Sequence, residues 1–129
     1  MKDNQLPWCT NAINYINYWK MEKEIQKYRK ASADALEFEL IARAYWKNGY
    51  FICWMKDWLP DKDVYQREMI EDWLIEQGMT IYFFLEGKND TWVRLMRINK
   101  DTIETDAGLS KSVAFMKVFM EYIKIQTGD

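Results

Sequence analysis

The chain has 129 residues, with 18 Lys and Arg against 20 Asp and Glu, 21 aromatic side chains (7 Trp, 8 Tyr and 6 Phe) and no histidine. This length is typical of one domain with one core, and a net charge of −2 disfavours a general nucleic-acid binder, which would normally be basic. The absence of histidine, together with two cysteines that lie far apart in the chain, excludes the usual zinc sites and catalytic systems that depend on histidine.

The N-terminal segment MKDNQLPWCTN lacks the continuous apolar run of a signal peptide. No apolar run elsewhere approaches the roughly 18 residues that a membrane span requires. We therefore expect a cytoplasmic protein that has no membrane partner. In a reducing cytosol we also expect Cys9 and Cys53 to be free thiols, with Cys53 acting as a small core side chain.

The first predicted helix spans residues 10–30, where apolar side chains recur at spacings of three and four. One stripe of this helix therefore faces the core. Aromatic side chains also occur on its other sides, and its C-terminal half is rich in Lys and Arg. A solvated face is the ordinary explanation of such charges, but aromatic and basic residues together also suit an acidic protein surface. We predict partner binding at Tyr15, Tyr18, Trp19, Lys23 and Lys27.

Two helix–glycine–strand units are predicted next, over residues 33–56 and 63–86. Local pattern leaves residues 36–41 open between helix and strand, because apolar residues there alternate and also recur at every fourth position. An ungapped comparison of residues 39–54 with residues 68–83 favours helix, since the second copy is clearly helical and has Asp61 or Asp63 as its cap. In each unit the glycine, Gly49 or Gly78, is predicted to follow the helix with a left-handed backbone.

The segment YFICWMKDWLP (50–60) contains a strand that is apolar on both sides, as does the later segment TIYFFLE. Such strands belong to sheets that are covered on both faces, so we predict that YFICW lies in the core. Trp58 is the exception, because it follows the strand where the chain turns before Pro60. We predict that Trp58 is exposed or lies at the rim of the core, and that it contributes to partner binding.

After the turn sequence EGKNDT, residues 91–125 are predicted to complete a hairpin and to end in an amphipathic helix, with a short third strand between. The elements together predict a single α+β domain over residues 1–129. Its predicted architecture is a three-layer α/β/α sandwich with about four helices and a mostly antiparallel sheet of about four strands.

Residues 64–123 are predicted to form, in order, a helix, a glycine, a strand, a turn, an aromatic-bearing strand, a third strand and a helix. Gly78, Trp92 and the helix pattern AGLSKSVAFMKVFMEY mark this order. In these features, residues 64–123 resemble the small phage-type alpha-beta-alpha sandwich domain. The long N-terminal extension departs from the pattern of that family. The resemblance implies a three-layer fold and a bacteriophage or prophage origin, and it implies no reaction and no catalytic residue.

Three hypotheses about function follow. The first is a non-enzymatic interaction protein, for example a phage or mobile-element accessory factor that binds and modulates a host protein, such as a defence-system inhibitor. The second is a protein that binds or sequesters a small molecule, such as a nucleotide-like ligand, in an aromatic pocket. The third is a metal-dependent enzyme that uses Glu68, Glu71 and Asp72 on one helix face. We favour the first, with a protein partner, no catalytic residues, no cofactor and no metal, and leave the oligomeric state open.

Overall fold

The computed structural model describes residues 7–97, 102–105 and 108–127, with side chains from residue 19 onward. Within these residues the chain is a single α+β domain with three α-helices and two three-stranded antiparallel sheets. The elements are α1 (Pro7–Ala35), β1 (Glu39–Ile41), β2 (Ala44–Lys47), β3 (Tyr50–Trp54), α2 (Val64–Glu76), β4 (Thr80–Gly87), β5 (Asp90–Met96), β6 (Thr102–Glu104) and α3 (Lys111–Thr127). The first sheet has the strand order β1-β2-β3, and the second has the order β4-β5-β6.

Helix α1 continues to Ala35, beyond the predicted end at residue 30, and closes in a Schellman motif. The backbone N–H of Phe38 donates to the carbonyl of Ala33 at 3.0 Å, and the N–H of Glu37 donates to the carbonyl of Asp34 at the same distance. Glu37 has a φ of 62°, which lies in the left-handed region that glycine adopts most easily. The motif turns the chain sharply, and Phe38 enters the core immediately after the helix.

The helix predicted within residues 33–56 is wrong, because residues 39–47 form β1 and β2 and a hairpin leads into β3. Both connections are two-residue turns with positive φ, Ala42 (51°) with Arg43 (64°) and Asn48 (52°) with Gly49 (81°). An Asn-Gly pair favours this turn, since both residues tolerate the left-handed backbone that the tightest hairpins require. Gly49 therefore has the predicted positive φ, but it belongs to a hairpin and does not follow a helix.

The second unit has the predicted order of helix, glycine and strand, in α2, Gly78 and β4. The side chain of Asp63 caps α2 by accepting a hydrogen bond from the backbone N–H of Gln66 at 3.0 Å. Gly78 has a φ of 88°, and the next N–H, from Met79, donates to the carbonyl of Leu74 at 3.0 Å. This is a second Schellman motif, and here a glycine occupies the left-handed position.

The core lies between the helices and one face of the second sheet. Val93 and Leu95 of β5 are fully buried, and Phe119 of α3 belongs to the same cluster. Tyr28 of α1 and Trp73 of α2 contact Phe119 edge-on, with ring centroids 5.6 and 6.1 Å apart. Because all three described helices join this cluster, the helices and the second sheet form two layers. The predicted sandwich with four strands, four helices and a third layer does not appear in the described residues.

Trp58 lies in the core, so the prediction that it is exposed is wrong. Only 1% of its surface is exposed, and its ring lies edge-on to Phe38 with centroids 5.0 Å apart. Its indole N–H is shared between the carbonyl of Arg29 at 3.1 Å and the hydroxyl of Ser32 at 3.0 Å. The physical reason is that the loop after β3 folds back onto α1, where a large ring with one polar atom finds both a cavity and acceptors. Trp58 therefore cannot contact a partner in this fold.

Candidate functional site on the first sheet

Three aromatic side chains form a row on the outward face of the first sheet. Trp46 of β2 is paired across the strands with Phe51 of β3, and their ring centroids are 5.6 Å apart. The rings of Phe51 and Trp54 are also 5.6 Å apart. Both contacts are edge-on, which is a favourable geometry for aromatic rings. We call Trp46, Phe51 and Trp54 the aromatic row.

A β-bulge in β3 brings Trp54 onto the same face as Phe51. In a regular strand, residues three apart point to opposite faces of the sheet. The pairing of β3 with β2 passes from Phe51 to Cys53, so Ile52 is an extra residue in the ladder. The extra residue shifts the alternation by one position and returns Trp54 to the outward face. Ile52 and Cys53 are half-buried and pack against the core.

The outward side of β3 is exposed, so the prediction that YFICW as a whole is buried is wrong. Phe51 and Trp54 keep 49% and 50% of their surface exposed on this side, and Tyr50, which points to the opposite face of the strand, keeps 75%. Ile41 and Met55, next to the row, are also exposed and extend the apolar surface. The error has a physical cause: the first sheet packs on the core through the face that carries the buried Tyr45, and no described helix covers the opposite face.

A shallow concavity of about 450 Å³ lies at the C-terminal end of β3. Ala42, Arg43, Trp54, Met55 and Lys56 line it, so its two charged residues are both cations. Neither cation forms an ion pair within the described part of the chain. The backbone N–H of Met55 donates to the carbonyl of Arg43 at 2.8 Å, which holds the β1–β2 turn against the end of β3. The concavity thus joins an aromatic surface to positive charge that is not paired with any carboxylate of the described residues.

The comparisons with protein-family models, with curated proteins and with solved structures gave no match. The likeness of residues 64–123 to a phage-type domain stays a prediction. Function must therefore be inferred from the surface itself. Of the helices in the described ranges, none combines the length and the apolar character that crossing a membrane requires.

The surface predicted on α1 is described in part. Trp19 is 51% exposed, and the ammonium of Lys23 lies 3.9 Å from its ring centroid in a cation–π contact. Lys27 is exposed one turn further along and lines a shallow groove together with both of these residues. The side chains of Tyr15 and Tyr18 lie outside the described residues. The structure thus brings three of the six predicted site residues together, between about 12 and 24 Å along the helix from its C-terminal end.

A second group of aromatic side chains lies on the second sheet and has a structural explanation. The rings of Phe84 and Trp92 stack with centroids 3.8 Å apart and an angle of 8° between their planes. The guanidinium of Arg94 lies 5.3 and 5.5 Å from the two ring centroids and donates to Glu104 at 2.6 Å. Cross-strand pairs of this kind stabilise a sheet, and each of these groups already has a partner.

The carboxylates of α2 do not converge on a common point. Glu71 accepts a hydrogen bond from Arg67 at 3.0 Å, and so one of the three candidate ligands is already engaged. Within residues whose positions are described, no group of three acidic or thiol side chains has the geometry of a metal site. The hypothesis that Glu68, Glu71 and Asp72 hold a metal therefore gains no geometric support.

Trp46 and Arg43 belong to the candidate site but were not predicted from the sequence. The comparison between the two halves of the chain predicts a helix at both positions. The pair Asn48–Gly49, between aromatic residues that favour strands, is the signal that would have indicated the hairpin. The bulge at Ile52 has no comparable signal in the sequence, and it alone decides on which face Trp54 lies.

Proposed function

We propose that the protein is a non-enzymatic interaction module, which binds a protein partner through the outward face of its first sheet. The observation that carries this proposal is the exposed aromatic row, extended by Ile41 and Met55. Large apolar patches are uncommon on proteins that act alone, and they mark interaction surfaces. Trp, Tyr and Arg are also the residues that most often dominate the binding energy of an interface.

The shape of the surface favours a protein over a small molecule. Small-molecule sites are usually concave and enclose most of the ligand surface. The aromatic row instead lies on an open sheet, where Phe51 and Trp54 each keep about half of their surface in contact with solvent. The adjacent concavity is lined by only five residues. A partner that lies across the row would remove these rings from water, which a nucleotide-sized ligand in the concavity would not do.

The charges beside the row indicate the chemistry of the partner. Arg43 and Lys56 have no carboxylate partner among the described residues, and both line the concavity next to Trp54. An apolar surface bordered by carboxylates would complement this arrangement and would gain both association rate and specificity. We therefore propose an acidic protein surface as the partner. That this partner is a host protein bound by a phage factor stays a hypothesis about its identity.

A photo-crosslinking experiment tests the proposal. A benzoylphenylalanine is introduced at Ile41, which is 54% exposed on the same face as Trp54, or, as a control, at Tyr65, which is 80% exposed on α2. Position 41 should crosslink one discrete protein, whereas position 65 should not. Phe51→Ser with Trp54→Ser should abolish that crosslink while the circular dichroism spectrum is retained. Equal crosslinking at both positions, or a crosslink that survives the double substitution, would contradict the proposal.

The α1 surface is tested in the same assay. Trp19→Ala combined with Lys23→Glu and Lys27→Glu changes exposed side chains and should leave the melting temperature nearly unchanged. If α1 contributes to the interface as the sequence predicts, this variant should reduce the yield of the crosslink from position 41. An unchanged yield would confine the interface to the first sheet.

A further inference from the structure

We infer that the partner contributes an extended acidic segment, which pairs with the free edge of β3 as a fourth strand of the first sheet. This inference rests on the proposed function and names the form and charge of what binds. β3 is the last strand of the order β1-β2-β3. The backbone bonds formed outside the sheets by described residues do not involve residues 50–54, so no described residue pairs with the side of β3 that faces away from β2. An unpaired edge offers a ready row of backbone donors and acceptors to an added strand.

The edge of β3 lacks the features with which proteins usually protect an edge strand. Its sequence, YFICW, contains no charged residue and no proline, and its bulge does not remove the large rings from the surface. The opposite edge is β1, which has three residues and carries Glu39. Charges and short length on an edge both discourage strand addition. The two edges of one small sheet thus differ, and β3 is the one suited to pairing.

The concavity at the end of β3 identifies the charge of the added segment. A strand that pairs along the five residues of β3 extends about 17 Å and reaches the concavity as it passes Trp54. There it meets Arg43 and Lys56, which can each donate charged hydrogen bonds to a carboxylate. Side chains on alternate positions of the added strand would lie beside the aromatic row. The sequence that fits is therefore an alternation of apolar residues that ends in Asp or Glu.

The backbone of Arg43 supports a role in binding. Its φ of 64° is one that an arginine adopts at an energetic cost, and a glycine would relieve that cost without losing the carbonyl that Met55 contacts. The guanidinium has no ion-pair partner in the described chain that would explain the choice of residue. Arg43 thus places an unpaired cation in the concavity despite the strain in its backbone. This is consistent with a role for Arg43 in binding an anionic ligand.

The test is a selection of binders from a displayed library of random dodecapeptides, followed by measurements on the most enriched peptide. We expect enriched peptides to carry apolar residues at alternate positions and Asp or Glu at one end of that pattern. The amides of residues 50–54 should exchange more slowly with solvent when the peptide is bound, by at least about tenfold for those in new hydrogen bonds. Arg43→Gly and Lys56→Gln should each weaken peptide binding, and together by about a hundredfold. Because Arg43→Gly relieves backbone strain, misfolding would not explain a loss of binding in this variant.

Each other outcome contradicts the inference in a different way. Enriched peptides that are basic or rich in proline, or unchanged exchange at residues 50–54, would exclude an acidic added strand. A concentration-dependent dimer in sedimentation velocity, with residues 50–54 protected in the protein alone, would assign the edge to a second copy of the chain. If no peptide is enriched but the crosslink from position 41 persists and depends on Phe51 and Trp54, the proposed function stands and strand addition fails. If that crosslink is absent as well, both fail.

Discussion

Single residues in this protein hold the backbone in left-handed conformations that are unfavourable for side chains with a Cβ. Glu37 ends α1 in this conformation, and Ala42 and Arg43 together form the turn between β1 and β2. Such a conformation costs a residue other than glycine roughly 1–2 kcal/mol. Two helices end in the same Schellman geometry, one with Glu37 and the other with Gly78 at the left-handed position. These two positions allow the cost to be measured in both directions.

Glu37→Gly should raise the free energy of unfolding by about 1 kcal/mol, because glycine adopts this backbone without steric penalty. Gly78→Ala, at the equivalent position after α2, should lower it by about 1 kcal/mol. An added Cβ at Gly78 would come no closer than 4.0 Å to the side chain of Arg97, so the loss would be conformational. Urea unfolding of both variants measures the effects, and changes of the same sign would contradict this account.

Arg43→Gly couples stability to binding at one residue. The substitution relieves a left-handed arginine, so the free energy of unfolding should rise by about 1 kcal/mol. It also removes one of the two cations from the concavity, so affinity for the selected acidic peptide should fall. Thermal unfolding and peptide titration of the same sample measure the two effects. A variant that is less stable than the parent would show that the guanidinium serves the fold instead.

Among the elements, those with complete local signals were the ones that sequence could predict. α2 has a capping aspartate, a periodic apolar face and a glycine after its last turn, and each of these acts within a few residues. The first sheet was not predictable in the same way. Its β1–β2 turn uses Ala42 and Arg43, which carry no turn signal, and the bulge at Ile52 depends on how β3 pairs with β2. The candidate site was missed because it is built from these nonlocal features.

The loop between β3 and α2 is joined to α1 by an ion pair that sequence did not indicate. Arg29 donates from Nε and Nη2 to the two carboxylate oxygens of Asp61 at 2.8 and 3.0 Å. Both side chains are largely buried, with 19% and 9% of their surface exposed. Paired bonds from one guanidinium to one carboxylate are strong and fix geometry. This pair, together with the indole of Trp58, therefore fixes the loop on the helix.

Asp61→Asn should lower the free energy of unfolding by about 2–3 kcal/mol, because it leaves the charge of Arg29 without its counterion. Asp34→Asn is the matched control, since Asp34 pairs with Lys30 on the same helix at an exposed site. That substitution should cost less than about 0.5 kcal/mol. Chemical denaturation at neutral pH measures both. Equal losses would indicate that the Arg29–Asp61 pair contributes no more than a surface pair.

For the whole molecule, the strands that are apolar on both sides led to the prediction of a covered sheet and a third layer. On the second sheet the side away from α3 is protected locally, because Phe84 and Trp92 stack and Arg94 lies over both rings. On the first sheet the outward rings remain exposed. The α+β class follows from the sequence, because it depends on the number and type of elements. The layering does not, since a ring covered by its neighbour and a ring covered by a helix have the same sequence pattern.

The raised pKa values of buried groups predict how the stability of the whole molecule changes in alkaline solution. Burial, and secondarily the charge of Asp61, raises the pKa of the Tyr28 hydroxyl far above its ordinary value. Burial also raises the pKa of Tyr45 and of the Cys53 thiol. A group whose pKa is raised by folding stabilises the folded state below its unfolded pKa, about 8.5 for Cys and 10 for Tyr, and loses that effect as pH rises further. The free energy of unfolding should therefore decline above about pH 9.

Tyr28→Phe should reduce this alkaline decline. The Tyr28 hydroxyl is buried and has no hydrogen-bond partner among the described residues, so its removal should leave stability at pH 7 unchanged or raise it by up to about 1 kcal/mol. Above pH 9 the hydroxyl of Tyr28 ionises more readily in the unfolded parent than in the folded one, and this favours unfolding. The variant lacks the hydroxyl, so its stability curve should be flatter than that of the parent. Tyr65→Phe, at an exposed position on α2, is the matched control and should follow the parent curve. Urea unfolding from pH 7 to 10.5 measures all three proteins, and parallel curves for Tyr28→Phe and the parent would show that the buried hydroxyl does not set the alkaline limit.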